Sequence, residues 1–206
     1  MARLFSATDA KRIIERHQNI IEKLNNSVSS VEKYRTKAKE ASDALVAQEV
    51  LKVLADIPIE EINRDKRGIR VKALKDYGYR TIADISTASV YSIASVHGIS
   101  EDAAYTIKSI VNDIVSKARQ GVKIRLSTDN RSREATALVL ALSQYRRSQK
   151  VADECRQLLN KNKQTIDYAV EDLNSSAGTL KWLLSSKTKK QKAVEAYNSL
   201  IGLIDG

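Results

Sequence analysis

The feature that most constrains the fold is a glycine between two helical patterns, in the stretch Val96–Ser100. Apolar residues at helical spacing lead into Gly98 from Ala88 onwards, and a second such pattern continues from the turn to Ile114. Glycine adopts the backbone conformation that a tight turn requires, and the Ser100 hydroxyl is suited to cap the following helix. The stretch therefore predicts a helix, a tight turn (the second glycine turn, Val96–Ser100) and another helix.

The same pattern occurs once more, twenty residues earlier in the chain. Gly78 corresponds to Gly98, and apolar residues precede and follow it at Leu74 and Ile82. This is the first glycine turn, Tyr77–Thr81. The repetition predicts two successive helical hairpins of the same kind.

Composition supports an all-helical chain. It contains one Pro and seven Gly in 206 residues, many Ala, Leu, Ile, Lys and Glu, and almost no alternation of apolar and polar residues. Four of the seven glycines fall between residues 68 and 121, so the chain is expected to turn most often there. The length is sufficient for one large domain or two small ones.

Two long amphipathic stretches lie on either side of these turns. The first carries a narrow apolar stripe at steps of three and four residues: Ile13, Ile20, Leu24, Val31, Tyr34, Ala38, Ala41 and Leu45. The second carries a similar stripe: Leu138, Leu142, Tyr145, Ala152, Leu159, Ile166, Val170 and Leu173. Narrow stripes of this kind are typical of coiled-coil seams, and Pro58 predicts that the first helix ends near Asp56.

The predicted fold is therefore all-α. We expect a long-helix antiparallel stalk, coiled-coil-like, with the two hairpins inserted and a C-terminal helical hairpin built around Trp182. The expected domains are a helical arm at 1–56, the double hairpin at 57–125, and a second arm with C-terminal helices at 126–206.

The segment VKALKDYGYRTIADISTASVYSIASVHGISEDAAYTI, Val71–Ile107, resembles a tandem helix-hairpin-helix domain. This module occurs in DNA repair proteins and at the amino end of strand-exchange recombinases. The most specific part is Gly98–Ser100 followed by acidic residues, two small residues and a helix. In that family the main-chain N–H groups of the hairpin hold a DNA phosphate without reading sequence, so the resemblance implies this role for Gly98, Ile99 and Ser100.

A longer stretch, from INRDKRGIRVKAL to VKIRLSTDNRSREATALVLAL, is similar to the amino-terminal region of bacterial Swi/Snf-type helicases. This resemblance implies a bacterial, cytoplasmic accessory module whose ATPase motor would follow Gly206. The implied partner is DNA, duplex or branched, bound without sequence preference.

The charge of the chain suits such a partner. Its 35 Lys and Arg exceed its 25 Asp and Glu, for a net charge of +10, and neutralising phosphates releases condensed counterions. Basic residues cluster in the connection 64–70, beside the hairpins. The residues expected to contact phosphate are Gly98, Ile99, Ser100, Lys108, Gly78, Arg80, Arg64, Lys66, Arg67 and Arg70.

A different class of function stays open. Basic residues on helices also form ordinary solvated faces, and glycine turns of this kind also serve only for packing. The long stripes would then associate with a partner helix or a second copy, and the chain would be a coiled-coil interaction or oligomerisation scaffold.

The sequence contains no recognisable catalytic motif. There is no phosphate-binding Gly-x-x-x-x-Gly-Lys-Ser/Thr loop, and His17 and His97 are too far apart in sequence for a metal site. The single cysteine, Cys155, lies in an apolar helical pattern and is expected to be buried. No apolar run reaches the ~20 residues that span a bilayer. We therefore expect no enzymatic activity, no cofactor, no metal and no membrane partner.

Overall fold

The computed structural model describes residues 7–127, 129, 131–176 and 179–205, and within these ranges the chain is helical with no β-strand. The all-α prediction is confirmed. Eight α-helices are formed by these residues: α1 (Ala7–Ala55), α2 (Val71–Tyr77), α3 (Ile82–Thr87), α4 (Val90–Ala94), α5 (Glu101–Gly121), α6 (Arg133–Ser176), α7 (Thr179–Leu184) and α8 (Lys187–Asp205). A short 3-10 helix, Ile59–Asn63, lies between α1 and α2.

The first long helix is continuous over 49 residues and passes through the polar Asn25–Ser27 segment without a break. The Ser27 and Ser30 hydroxyls donate to main-chain carbonyls one turn earlier, at 3.0 and 2.7 Å, so these polar side chains are satisfied within the helix. The helix ends at Ala55. This agrees with the expectation from Pro58, because the residue before a proline is pushed out of helical geometry.

The chain divides into two compact units, and the division runs through both long helices. The arm unit comprises residues 1–36 and 142–206, and the hairpin unit comprises residues 37–141. The sequence placed the domain limits at 57 and 125. The hairpin unit extends further on both sides, because α1 supplies Val50 and Leu54 to its core and Leu45 of α1 packs against Ala135 and Leu138 of α6.

In the arm unit, the start of α1 packs antiparallel on the end of α6, and α8 covers both. The core residues are Ala10, Ile13, Ile14, Ala169, Leu173, Ala193, Ala196, Tyr197 and Leu200. His17 is buried beside them and its Nε2 donates to the Leu200 carbonyl at 3.0 Å. Trp182 of α7 packs against this core, as expected from the sequence, and Cys155 of α6 is buried.

In the hairpin unit, the larger of two buried clusters joins the end of α1 to both hairpins. Its fully buried residues come from helices α1 to α5 and the 3-10 helix: Leu54, Ile59, Ile62, Leu74, Ile82, Ile85, Ile93, Ala104, Ile107 and Val111. A short main-chain pairing adds to it, since Ile59 N–H donates to Arg80 O and Ile82 N–H donates to Ile57 O, each at 3.0 Å. The first glycine turn is therefore held against the segment that follows α1.

Candidate nucleic-acid interface

The second glycine turn is anchored by one side chain and leaves its main chain at the surface. Ile99 is 7% exposed and belongs to the core, whereas Gly98 and Ser100 are exposed. Gly98 has φ +83°, a left-handed conformation that side chains disfavour. Ser100 caps α5 as predicted, because its hydroxyl accepts the Ala103 N–H at 3.2 Å.

Two of the three N–H groups expected to bind phosphate remain open. The Ile99 N–H donates to the Val96 carbonyl at 3.0 Å and so closes the turn itself, which removes Ile99 from the expected set of phosphate donors. The N–H groups of Gly98 and Ser100 have no acceptor within the described part of the chain. Both belong to exposed residues, next to the amino end of α5, where the helix dipole adds positive potential.

The tertiary structure brings Arg70 to this turn. A methyl group built on Gly98 would lie only 2.6 Å from the Arg70 Nη1 atom, so the guanidinium covers this glycine directly. Arg70 is exposed, and no carboxylate pairs with it among the described residues. A permanently charged side chain with planar donors therefore lies against Gly98, one of the two residues whose N–H groups are open.

The first glycine turn also contains a left-handed glycine and leads into a capped helix, but its N–H groups are all used. Gly78 N–H donates to the carbonyls of Leu74 and Lys75, at 3.2 and 3.1 Å, and Tyr79 N–H donates to Leu74 O at 3.0 Å. Gly78 has φ +118°, as expected for the left-handed residue that ends a helix. Because these donors already have acceptors, we leave Gly78 out of the candidate site.

An aspartate occupies the remaining donors of the first turn. The Asp84 Oδ2 atom accepts the N–H groups of Arg80 and Thr81, each at 2.8 Å. The hydrogen bond from Arg80, supported by that from Thr81, holds the pKa of the Asp84 carboxyl below its usual range. The carboxylate of Asp84 therefore takes the position that an external anion would need.

The second turn lacks such a carboxylate. Asp84 is the third residue after the cap Thr81, and the third residue after the cap Ser100 is Ala103. A methyl group accepts no hydrogen bond, so the Ser100 N–H stays open. The Thr-x-x-Asp spacing of Thr81 and Asp84 is a sequence signal for a capping box, and it distinguishes the first turn from the second.

Two acidic side chains reduce the potential at the second turn. Glu101 and Asp102 are exposed in the first turn of α5. Acids there stabilise the helix but repel an incoming phosphate. A contact at this turn is therefore expected to be weak by itself.

Lys108 was expected to add charge to the site, and the structure gives its ammonium another role. The Nζ atom donates to the carbonyls of Ile85, Ser86 and Ala88, at 3.3, 2.9 and 2.9 Å. These three carbonyls lie at the end of α3 and just beyond it. All three donors of the ammonium are thus used in capping a helix, so we leave Lys108 out of the candidate phosphate contacts.

The basic connection before α2 is only partly neutralised. Arg64 pairs with Glu61 at 2.9 Å and Arg67 pairs with Asp65 at 3.0 Å, and all four side chains are solvent-accessible. Exposed pairs of this kind are worth little, so a phosphate could compete for either arginine. Lys66 is exposed, with φ +55° and no ion pair among the described residues.

Arg80 also remains a candidate. Its main-chain N–H is taken by Asp84, but its side chain is exposed and forms no ion pair in the described ranges. The structure thus offers Arg70 at the second turn, with Arg64, Lys66, Arg67 and Arg80 as further exposed cations of the same unit.

No protein-family model, curated protein or solved structure matches this chain. Among the described residues, no group of three or more His, Cys, Asp or Glu side chains is placed to hold a metal ion. The helices within those residues also include none with the length and apolar character needed to cross a bilayer.

Proposed function

We propose that this chain is a sequence-nonspecific DNA-binding accessory module, which holds a backbone phosphate at the second glycine turn. One observation carries the proposal: the N–H groups of the exposed residues Gly98 and Ser100 are open, and the unpaired Arg70 guanidinium lies against Gly98. Main-chain donors at a helix start favour anions, and a guanidinium suits phosphate oxygens. Contacts to phosphate carry no base information, so sequence preference should be small.

The difference between the two turns supports this assignment. In the first turn the Asp84 carboxylate accepts two successive N–H groups, so an oxyanion fits at the start of the helix that follows that turn. The second turn also leads into a capped helix, but the third residue after its cap is Ala103 and not an acid. We therefore expect one glycine turn per chain to bind a phosphate. The exposed cations of the same unit would support this contact: Arg64, Lys66, Arg67 and Arg80. The helicase or translocase context is part of the proposal and rests on the resemblance of the sequence.

A matched pair of substitutions at Ser100 tests the main-chain contact. Ser100→Ala removes the capping hydroxyl and keeps the N–H, whereas Ser100→Pro removes both. The φ of Ser100, −76°, is compatible with proline. We expect Ser100→Pro to bind unrelated DNA duplexes about tenfold more weakly than Ser100→Ala, the loss of one hydrogen bond to a charged group.

Fluorescence anisotropy over a salt series measures this difference, with circular dichroism as the check on folding. Wild-type affinity should fall steeply with salt and differ little between unrelated sequences. Arg70→Glu should weaken binding, and Arg156→Glu, a similar change in the arm unit, serves as its control. Equal affinities of the two Ser100 variants would contradict the assigned contact.

A second candidate function has its own observation. Helix α6 exposes several large apolar side chains, among them Val151, Leu158 and Tyr168, at 47%, 51% and 69%. Such residues are suited to pair with a partner helix or a second copy, as in a scaffold. Sedimentation distinguishes the two: a concentration-dependent dimer without DNA affinity favours the scaffold.

A further inference from the structure

Helix α7 directs its apolar face away from the core of the arm unit. Leu180, Leu183 and Leu184 are 74%, 72% and 86% exposed. Their i, i+3, i+4 spacing places them on one side of the helix, and they form the leucine face. Trp182 lies on the opposite side and is partly buried against the core. A surface helix normally buries its apolar stripe, so this arrangement is the reverse of the usual one.

Lysines flank the leucine face in the sequence. No Asp or Glu occurs between Asp172 and Glu195, whereas this interval contains five basic residues. They form the lysine cluster: Lys181, Lys187, Lys189, Lys190 and Lys192. None forms an ion pair in the described part of the chain. The Lys190 Nζ lies 5.7 Å from the centre of the Trp182 ring, so the first turn of α8 lies close to α7.

The position of these lysines does not stabilise their own helix. Four of the five lie within the first six residues of α8, a helix without an acid in its first turn. Cations at a helix start oppose the helix dipole, and neighbouring ammonium groups repel one another. An anionic partner beside α7 and α8 would relieve both effects.

We infer that the leucine face and the lysine cluster together bind the surface of a membrane that contains anionic phospholipids. The leucines would enter the boundary between head groups and acyl chains, while the ammonium groups lie at the level of the lipid phosphates. Contact of this kind uses one face of a short helix. It is therefore compatible with the finding that none of the described helices is suited to cross a bilayer.

The chemistry of the patch favours a lipid surface over other occupants. A second copy would bring two lysine clusters together, and like charges repel. The phosphates of DNA would match the lysines but offer nothing apolar to three neighbouring leucines. An acidic protein would need a groove that fits a protruding leucine ridge, and interfaces between proteins favour Arg over the Lys found at all five positions. A lipid surface adapts to the ridge without a matching shape.

Co-sedimentation of the full chain with vesicles tests the inference. We expect binding to phosphatidylcholine vesicles that contain phosphatidylglycerol, and much weaker binding to pure phosphatidylcholine. The triple variant Leu180→Ser, Leu183→Ser, Leu184→Ser should lose at least about tenfold in affinity, since burial of even one leucine is worth that much. Lys187→Glu with Lys190→Glu should lose at least about tenfold and become less sensitive to salt.

Two controls separate this surface from the rest of the chain. Val151→Ser with Leu158→Ser removes exposed apolar side chains from α6 of the same unit and should leave vesicle binding unchanged. Arg70→Glu should also leave vesicle binding unchanged. The vesicle experiment and the DNA-binding experiment can then fail independently of each other. Circular dichroism checks that each variant keeps its helices, and the lysine variant provides the test if the leucine variant does not fold.

Three results would overturn the inference: no binding to the anionic vesicles, equal binding to neutral vesicles, or full binding by the leucine variant. The last result would mean that the lysines act only as a general polyanion surface. If an acidic protein bound the leucine face and the vesicles did not, the occupant would be that protein and not a lipid surface.

Discussion

Asp84 and Thr81 close the first glycine turn reciprocally: the Asp84 carboxylate accepts the Thr81 N–H at 2.8 Å, and the Thr81 hydroxyl accepts the Asp84 N–H at 3.3 Å. The same carboxylate also holds the Arg80 N–H. Asp84 therefore caps α3 and also occupies the main-chain donors that an external anion would need. The second turn has no such carboxylate, because Ala103 stands three residues after its cap Ser100.

Asp84→Asn is expected to lower the free energy of unfolding by about 1 to 2 kcal/mol, since it removes the charge of a carboxylate that accepts two main-chain N–H groups. The pKa of Asp84 is lowered in the folded chain, so its stabilising effect is complete above the unfolded pKa of about 4 and is lost as the pH falls through the folded value. Urea unfolding at neutral and acid pH measures this. The difference between wild type and variant should shrink in acid, and a constant difference would contradict the role of the charge.

Ala103→Asp transfers the acid of the first turn to the second. The new carboxylate should accept the Ser100 N–H, so we expect a similar or higher melting temperature together with DNA binding at least several-fold weaker. Ser109→Asp, on an exposed position of the same helix, changes the net charge equally and serves as the control. If both variants lose the same affinity, the effect belongs to net charge and not to the turn.

Glu101→Gln with Asp102→Asn should strengthen DNA binding by about three- to tenfold at low salt, because two repulsive charges leave the amino end of α5. The gain should diminish as salt rises, since the side chains are exposed. Asp113→Asn lies further along the same helix and should have a smaller effect. Anisotropy titrations at two salt concentrations are sufficient, and weaker binding by the double variant would count against a phosphate at this turn.

Lys108→Met should cost about 1 to 3 kcal/mol of stability, because three carbonyls at the end of α3 lose a charged donor. The slope of DNA affinity against salt should stay the same. A lysine that contacts phosphate would instead lower that slope by about one when replaced. Thermal unfolding and a salt titration of the same variant therefore distinguish the two roles of Lys108.

Much of the fold could be predicted from local patterns. Helix positions, the end of α1 before Pro58, the cap at Ser100 and the left-handed glycines at 78 and 98 depend on neighbouring residues only. The burial of Cys155 and the anchoring of Trp182 also followed from the apolar stripes on which they lie. The limits of the units could not be predicted in this way. They depend on which core each part of α1 packs into, and Val50 and Leu54 pack into the core of the hairpin unit.

The sequence alone determined the helices, the two glycine turns and the surplus of positive charge, because propensity, capping and composition act over a few neighbouring residues. Only the tertiary structure decided which turn keeps open donors, where the Lys108 ammonium binds and that Arg70 covers Gly98. It also decided that the leucines of α7 face solvent. The reason is physical: whether a donor, a charge or an apolar side chain finds a partner depends on distance in space, and residues far apart in the chain supply those partners.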